Sequence, residues 1–239
     1  MAKFKIKLVN KIIEIDCIED YTKEYCKDFI VNNSIPSDYE FTITKTDLLK
    51  EKELDCNKGV YGSIELSCLY RKIVTKLALE NALLFHCSSI EVNGKAYCIA
   101  AHSGIGKSTH VNLLRKVYGE NKIHYINDDK PLFLFSKDKI EVYGTPWSGK
   151  ERKSTNTHYP LAGIALLSRD SSNSIHPIDK KVAYNRIIEQ IYLPKEKREL
   201  INTLNLIDIL LNKVPIYDLK VNMKDEAAIT SYEGMIERK

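Results

Sequence analysis

The feature that most constrains the fold is an apolar run at 95–100 that leads directly into a glycine-rich loop, Ala-His-Ser-Gly-Ile-Gly-Lys-Ser, at 101–108. Gly104 and Gly106 allow the backbone to bend so that successive N–H groups converge on one point. Lys107 adds a positive charge there, and a helix that begins near it directs its positive dipole end to the same point. The pattern predicts a strand, a phosphate-binding loop and a helix.

Specific phosphate and metal ligands follow from this loop. We expect nucleotide phosphates to be bound by a run of seven residues: Ser103, Gly104, Ile105, Gly106, Lys107, Ser108 and Thr109. The Ser108 hydroxyl is the predicted Mg²⁺ ligand. The usual pattern begins with glycine, whereas this chain has Ala101, so the loop entrance must tolerate a β-carbon. The alternative is an ordinary turn before a helix.

Two adjacent carboxylates follow the next apolar segment. Residues 123–126 predict a buried strand, and Asn-Asp-Asp-Lys-Pro at 127–131 comes directly after it. A strand that returns after one helix is expected beside the first strand, with its end next to the phosphate loop. Of Asp128 and Asp129, one can then hold Mg²⁺ and the other can accept a proton from an attacking hydroxyl. Without the upstream loop, this segment would be an ordinary Asx-type turn.

A histidine and a basic segment complete the candidate site. His86 lies early on a strand predicted at 85–92, which places it near the loop, where it can hydrogen-bond an aspartate base; the alternative is a core histidine. The segment 144–153 holds the only tryptophan and three basic side chains. We expect Lys150 and Arg152 to face the transferring phosphoryl group, the alternative being a solvated loop.

Composition restricts the class of protein. The chain has 239 residues and a net charge of +4, which is too small to indicate nucleic acid. Six scattered cysteines include no Cys-x-x-Cys pair, which favours buried thiols in a reducing cytosol. With no run of transmembrane length and no signal-peptide pattern, we expect a cytoplasmic protein without a membrane partner. Self-association is left open.

The pattern along the chain predicts an α/β fold with a mixed, twisted sheet around the loop. The predicted strands are a pair at 4–15, then 41–44, 85–92, 95–100, 123–126, 131–135, 140–143 and 161–167. Helices are predicted at 65–84 and over 182–211 with a break at Leu193-Pro194, and 47–54 is a short helix or a loop. We divide the chain into a small β-rich region, 1–64, and a nucleotide-binding domain, 65–239.

The ordered set His86, Ser103-Gly104-Ile105-Gly106-Lys107-Ser108 and Asp128-Asp129 resembles the catalytic domain of the HPr kinase/phosphorylase family. More broadly, it is similar to the fold shared with ATP-dependent phosphoenolpyruvate carboxykinase. The resemblance covers roughly 84–190 and does not extend to 1–64. It implies that His86 supports Asp128 as general base, and that Asp129 and Ser108 face the metal.

The Asn-Asp-Asp-Lys-Pro sequence and the run 144–150 are similar to HPr-kinase-like proteins of Firmicutes, some of which phosphorylate a serine of ribosomally made peptides such as lasso peptide precursors. The resemblance implies an ATP- and Mg²⁺-dependent kinase that acts on Ser or Thr of a peptide or small protein. The alternatives are a small-molecule kinase, a carboxykinase-like enzyme, and a nucleotide-binding regulator without transfer activity.

Overall fold

The computed structural model describes residues 2–54 and 61–237 and has an α/β architecture with mixed sheets. Cys56 lies outside the described residues. No helix in the described part of the chain is long and apolar enough to cross a membrane. The two described segments form an N-terminal sheet and a larger sheet that carries the candidate site.

The N-terminal sheet has the strand order β3-β1-β2-β4. Its elements are β1 (Ala2–Leu8), β2 (Lys11–Cys17), α1 (Asp20–Tyr25), a 3-10 turn (Lys27–Phe29), β3 (Ile30–Val31), β4 (Tyr39–Thr42) and α2 (Lys45–Leu54). β1 and β2 are antiparallel, whereas β4 runs parallel to β2. Phe4, Ile6 and Leu8 alternate with lysines, so one face of β1 is buried and the other is polar. The predicted strand pair is confirmed.

The large sheet has the order β5-β9-β10-β11-β7-β6-β8, and β13 joins it beside β11 and pairs with β12. Its strands are β5 (Ala82–Leu84), β6 (Cys87–Val92), β7 (Lys95–Ala100), β8 (His124–Asn127), β9 (Leu132–Phe135), β10 (Ile140–Tyr143), β11 (His158–Arg169), β12 (Ser174–Pro177) and β13 (Ile216–Val221). β11 connects the two halves, because its first residues pair with β10 and its later residues pair in parallel with β7 and β13. This parallel centre places the carboxyl ends of three strands at one edge.

Helices cover both faces of this sheet. They are α3 (Tyr61–Ala78), α4 (Lys107–Tyr118), α5 (Lys180–Ile188), α6 (Lys197–Lys213) and α7 (Asp225–Ser231), which continues into a π turn (Tyr232–Ile236). α5 and α6 pack on one face and α4 and α7 on the other, so alternate residues of β7 face two different cores. The break predicted near Leu193-Pro194 is confirmed by the gap between α5 and α6.

The helix predicted at 65–84 is wrong in its extent. α3 ends at Ala78, and Asn81 has a positive φ of 58°, after which the chain enters β5. Ala82–Leu84 is a buried strand paired with β9. Its apolar residues happen to continue the helical spacing of α3, which is why the predicted helix is too long. The strand predicted at 85–92 is also shorter than expected: β5 ends at Leu84, and β6 begins only at Cys87.

The predicted strand at 123–126 exists, but its predicted place beside β7 is wrong. The β6–β7 hairpin puts β6 between them, and β8 pairs antiparallel with β6. β8 consequently runs in the same direction as β7, one strand away. Its carboxyl end still reaches the sheet edge at which the glycine loop begins.

The region 1–64 shares a core with later residues. α3 begins at Tyr61, so the predicted boundary falls within its first turns. The buried face of α3 and Trp147 pack in the same cluster as the N-terminal strands. The division into two domains stays a prediction.

The five cysteines that the structure describes are free, buried thiols: Cys17, Cys26, Cys68, Cys87 and Cys98. Burial raises the pKa of Cys17 and Cys68 to about 11 and that of Cys26 to about 12. They pack as small apolar side chains in the cores, in agreement with their predicted role.

Candidate functional site

The glycine loop connects β7 to α4 and has the backbone conformation that its sequence requires. Gly104 has a φ of +82° and Gly106, which caps the N-terminus of α4, has a φ of +122°. Both values favour glycine over residues with a β-carbon. Ala101 does not have a positive φ, and its side chain packs in the core below the loop. The expected tolerance of a β-carbon at this position is therefore met.

The backbone N–H groups at the start of α4 are available to a ligand. Those of Gly106, Lys107 and Ser108 donate to no acceptor in the part of the chain that the structure describes. Ser108 is half-buried in the first turn, while Ser103 and Thr109 are exposed. Unpaired N–H groups at a helix N-terminus suit a phosphate or another anion.

Lys107 is buried under the loop and contacts the strand before it. Its Nζ lies 3.0 Å from the carbonyl oxygen of Ala101 and 3.0 Å from Nε2 of His86. Burial lowers the pKa of this ammonium group, with the nearby Asp129 charge acting in the opposite direction. A cation held in this position can meet the terminal phosphates of a nucleotide.

Arg169 supports the loop from the neighbouring strand. It is the last residue of β11, and its Nε and Nη2 donate to the carbonyl oxygens of Ile105 and Gly104 at 2.8 and 2.9 Å. These bonds fix two loop residues to the end of β11. Arg169 is not among the site residues predicted from the sequence, although an arginine at the end of a buried strand is an available signal.

α4 is also fixed at its far side. His110 is buried, and its Nε2 lies 2.8 Å from the hydroxyl of Ser231 in α7. Burial lowers the pKa of His110 to about 4, because a charged imidazole would lose its hydration there. The helix that carries the loop is therefore attached to α7 through a neutral histidine.

His86 lies between β5 and β6, where it contacts Asp129 and not Asp128. Its Nε2 is 3.1 Å from Oδ1 of Asp129, and its backbone N–H donates to the carbonyl of Gln190 at 2.6 Å. The resemblance implied support of Asp128, so this pairing is a correction. The reason is local geometry: Cys87 N–H donates to the Asp129 carbonyl at 3.1 Å, which brings Asp129 next to His86.

The two aspartates occupy different electrostatic environments. Burial raises the pKa of Asp128, whose Oδ1 accepts a 2.5 Å hydrogen bond from the backbone N–H of Gly149. Burial alone would also raise the pKa of Asp129, but the His86 hydrogen bond and the charge of Lys130 lower it to about 2. Two carboxyl groups whose pKa values are pushed apart can divide acid–base work and charge stabilisation.

Asn127 organises the segment that carries this pair. Its amide nitrogen lies within hydrogen-bond distance of both oxygens of Thr145, the carbonyl of Trp147 and the hydroxyl of Ser154. Its amide oxygen accepts from the N–H groups of Asp129 and Lys130 at 2.8 and 2.7 Å. The sequence alone indicates a turn at Asn127 and does not predict this role, because the hydrogen-bond partners lie about 20 residues away.

The segment 144–155 packs tightly against the end of β8. A β-carbon on Gly144 would stand 1.8 Å from the carbonyl oxygen of Thr155 and 2.8 Å from that of Ile126. The Thr155 N–H donates to the Ile126 carbonyl at 3.0 Å, and Asp128 N–H donates to that of Lys153 at 3.0 Å. Gly144 is thus required by close backbone approach.

The two predicted basic residues of this segment lie apart. Lys150 is exposed and makes no hydrogen bond or ion pair with any residue that the structure describes. The Arg152 guanidinium instead lies on α1, 4.5 Å from the ring centre of Tyr25, and donates to the hydroxyl of Tyr21 at 3.2 Å. The structure brings Lys107, His86, Asp128 and Asp129 together and does not bring Arg152 to the loop.

The fit of a divalent cation can be judged from the donors present. Among residues 2–54 and 61–237, no group of three or more His, Cys, Asp or Glu side chains could hold a metal alone. Mg²⁺ typically takes one or two protein oxygens and completes its shell with phosphates and water. The Asp129 carboxylate and the Ser108 hydroxyl fit that donor set.

A cavity of about 330 Å³ opens beside the loop. Its walls include Ala101, His102 and Ile105 from the loop, together with Arg186 and Gln190 near the end of α5. Gln190 is buried, and its side-chain oxygen has no hydrogen-bond partner in the described part of the chain. The Gln190 oxygen gives this cavity a polar group beside the glycine loop.

The sequence matches no known family model and no curated protein. Among solved structures, the chain is similar to the Hpr(Ser) kinase/phosphatase from Coxiella burnetii, with 7% sequence identity and a TM-score of 0.34. The alignment covers 64% of this chain and 97% of that chain. The similarity is distant.

Proposed function

We propose that this chain is an ATP-dependent kinase that transfers the γ-phosphate to a hydroxyl group. The observation that carries the proposal is a continuous contact from Lys107 Nζ through His86 Nε2 to Asp129 Oδ1, at 3.0 and 3.1 Å. It joins the loop cation to the acidic pair at one edge of the sheet. Phosphoryl transfer needs a cradle for the phosphates, a metal ligand and a proton acceptor in this proximity.

The glycine loop binds the donor in this proposal. The free N–H groups at the start of α4 and the ammonium group of Lys107 hold the phosphates, and Ser108 and Asp129 hold Mg²⁺. Mg·ATP supplies the transferable phosphoryl group and the cationic charge that offsets its negative oxygens. Asp129 suits this role, since its lowered pKa keeps it ionised.

Asp128 is the proposed general base. It is buried and fixed by Gly149, and its raised pKa makes it a better proton acceptor than its neighbour. The acceptor hydroxyl loses its proton to Asp128 as its oxygen forms the new bond to phosphorus and the bond to the ADP oxygen breaks. His86 acts as a positioning residue that orients Asp129, and Lys150 is the exposed cation that can approach the phosphoryl group.

The acceptor we propose is a serine or threonine of a peptide or small protein, on the strength of the family resemblance of the loop and the acidic pair. A small-molecule hydroxyl, a carboxykinase-like reaction and a regulator without transfer activity are the competing outcomes of the test. The base within the acidic pair favours an enzyme over a regulator.

The decisive experiment compares Mg·ATP binding by the native chain and by Lys107→Ala, using calorimetry and thermal unfolding. At a hundredfold excess of ligand over Kd, the native chain gains about 2.7 kcal/mol, and most of this gain is lost in Lys107→Ala. Lys116→Ala is the matched control, because Lys116 lies on the same helix and forms a surface ion pair with Asp225. An equal gain in all three proteins refutes the assignment.

Transfer is then measured with radiolabelled ATP against a library of Ser- and Thr-containing peptides and against small hydroxyl compounds. Phosphopeptide formation that requires Asp128 supports the kinase. Tight Mg·ATP binding without transfer to any acceptor supports the regulator.

A further inference from the structure

The segment that fixes Asp128 is itself held by the N-terminal region. The hydroxyl of Tyr25, the last residue of α1, donates to the carbonyl of Ser148 at 3.1 Å. Gly149, the next residue, donates its N–H to Asp128. The contact with α1 and the contact with the proposed base are therefore made by the two ends of one peptide group, the Ser148 carbonyl and the Gly149 N–H.

Arg152 provides the second connection. Its guanidinium carbon lies 4.5 Å from the centre of the Tyr25 ring and 5.7 Å from that of Tyr21. Its backbone N–H donates to the Gly149 carbonyl at 3.0 Å, which closes a short turn over 149–152. Arg152 has a φ of +52°, a conformation that persists in a non-glycine residue when its surroundings hold it.

α1 is a firm support for these contacts. The side chain of Glu65, on α3, is fully buried and accepts from the N–H groups of Ile18 and Glu19 at 2.6 and 2.9 Å. It also accepts from the hydroxyl of Thr22 at 2.9 Å. The Glu65 carboxylate thus bonds the two residues before α1 and the Thr22 side chain within it, which attaches the start of the helix to the core.

We infer that α1 is a positioning element of the kinase site: through Tyr25 and Arg152 it holds the turn 148–152 so that Gly149 fixes the Asp128 carboxylate. The inference rests on the proposed function and assigns a role to the region 1–64. Tyr25 and Arg152 are positioning residues, since they act on Asp128 through the backbone of the turn. Loss of either contact frees the turn and leaves the phosphate loop unchanged.

The test uses the full chain with Tyr25→Phe and Arg152→Ala, with Arg152→Lys as the conservative variant. Tyr25→Phe removes one hydroxyl and keeps the ring under Arg152. Tyr39→Phe is the matched control, because it also removes one tyrosine hydroxyl from the N-terminal sheet. The Tyr39 hydroxyl donates a hydrogen bond to Glu80 and not to a residue of the turn. Thermal unfolding verifies that every variant is folded.

The first readout is amide hydrogen exchange over 148–153, which needs no catalytic activity. Exchange at Gly149 and Arg152 is expected to be about 3- to 10-fold faster in Tyr25→Phe and Arg152→Ala, the ratio produced by loss of one hydrogen bond. Exchange in α4 stays unchanged, and Arg152→Lys restores part of the protection because its charge can still face the rings. Unchanged exchange over 148–153 overturns the inference.

The second readout separates positioning from general instability. We expect kcat to fall about 3- to 10-fold with an unchanged KM for ATP, because only the base moves. Faster exchange with an unchanged kcat overturns the inference, as does an equal rise of KM. If the native chain transfers no phosphate, the proposed function fails, and the exchange result still decides whether α1 holds the turn.

Discussion

The glycine loop and the acidic segment meet at the same sheet edge, yet they are built in opposite ways. The loop leaves the N–H groups of Gly106, Lys107 and Ser108 without an acceptor among the described residues and is held from behind by Arg169. In the acidic segment, Asn127 alone has contacts to four acceptors and two donors. The loop leaves backbone donors unpaired within the described chain, whereas the segment 127–131, called the acidic segment here, is held through internal hydrogen bonds of Asn127.

This difference has an energetic meaning. Exposed N–H groups at a helix end are solvated and cost little until an anion replaces the water. Buried amide and carboxyl groups require partners, because an unpaired one costs about 1–3 kcal/mol. The acidic segment is therefore preorganised, and we expect substitutions there to affect stability or catalysis more than equivalent substitutions in the loop.

The largest expected effect is on turnover in Asp128→Asn. The amide keeps the shape and can remain near Gly149 but cannot accept a proton, so kcat falls by about 10²–10⁴-fold. Mg·ATP affinity, which depends on the loop, changes only a few-fold. Steady-state kinetics and calorimetry check this, with the exposed Asp138→Asn as control. Equal turnover in both variants would reduce the acidic segment to a structural turn.

A pair of glycine substitutions tests the structural side of the comparison. Gly144→Ala forces a β-carbon into the Thr155 carbonyl, and we expect a loss of about 3 kcal/mol. Gly104→Ala meets nothing within 4 Å and carries only the strain of its positive φ, roughly 1–2 kcal/mol. Urea unfolding measures both. A larger loss in Gly104→Ala would invert the comparison.

A smaller effect concerns the attachment of α4. The folded-state pKa of His110 is lowered to about 4, so the unfolded chain binds more protons between about pH 4 and 6.5. Stability is complete above that window and is lost as the pH falls through it, by about 2 kcal/mol between pH 7.5 and 5. Urea unfolding of the native chain and of His110→Gln at pH 7.5 and at pH 5 measures how much His110 contributes to this loss of stability. The exposed His124→Gln variant should retain the native pH dependence.

Sequence reasoning succeeded where a feature is encoded by neighbours. The glycine loop, the following helix, the β6–β7 hairpin and the alternating β1 and β2 depend on local periodicity and turn residues, and all are present. The α/β architecture with mixed sheets follows from the same patterns. The catalytic roles, the nucleotide and the metal stay predictions.

The rest depends on contacts between distant residues. The end of α3 was misplaced because Ala82–Leu84 is buried by β9, about 50 residues later. Asn127, Arg169 and the placement of Arg152 on Tyr25 are set by partners that no spacing rule connects. His86 lies near the acidic pair as expected, but which aspartate it contacts is decided by the backbone hydrogen bond of Cys87.

Four buried cysteines can report how fast each core opens. Cys17 and Cys26 lie in the N-terminal core, and Cys87 and Cys98 lie in the large sheet. Since only an ionised, accessible thiol reacts with an alkylating reagent, each cysteine is modified at the rate at which its surroundings open. Mass spectrometry of timed alkylation therefore reads the opening of the two cores separately in one native sample.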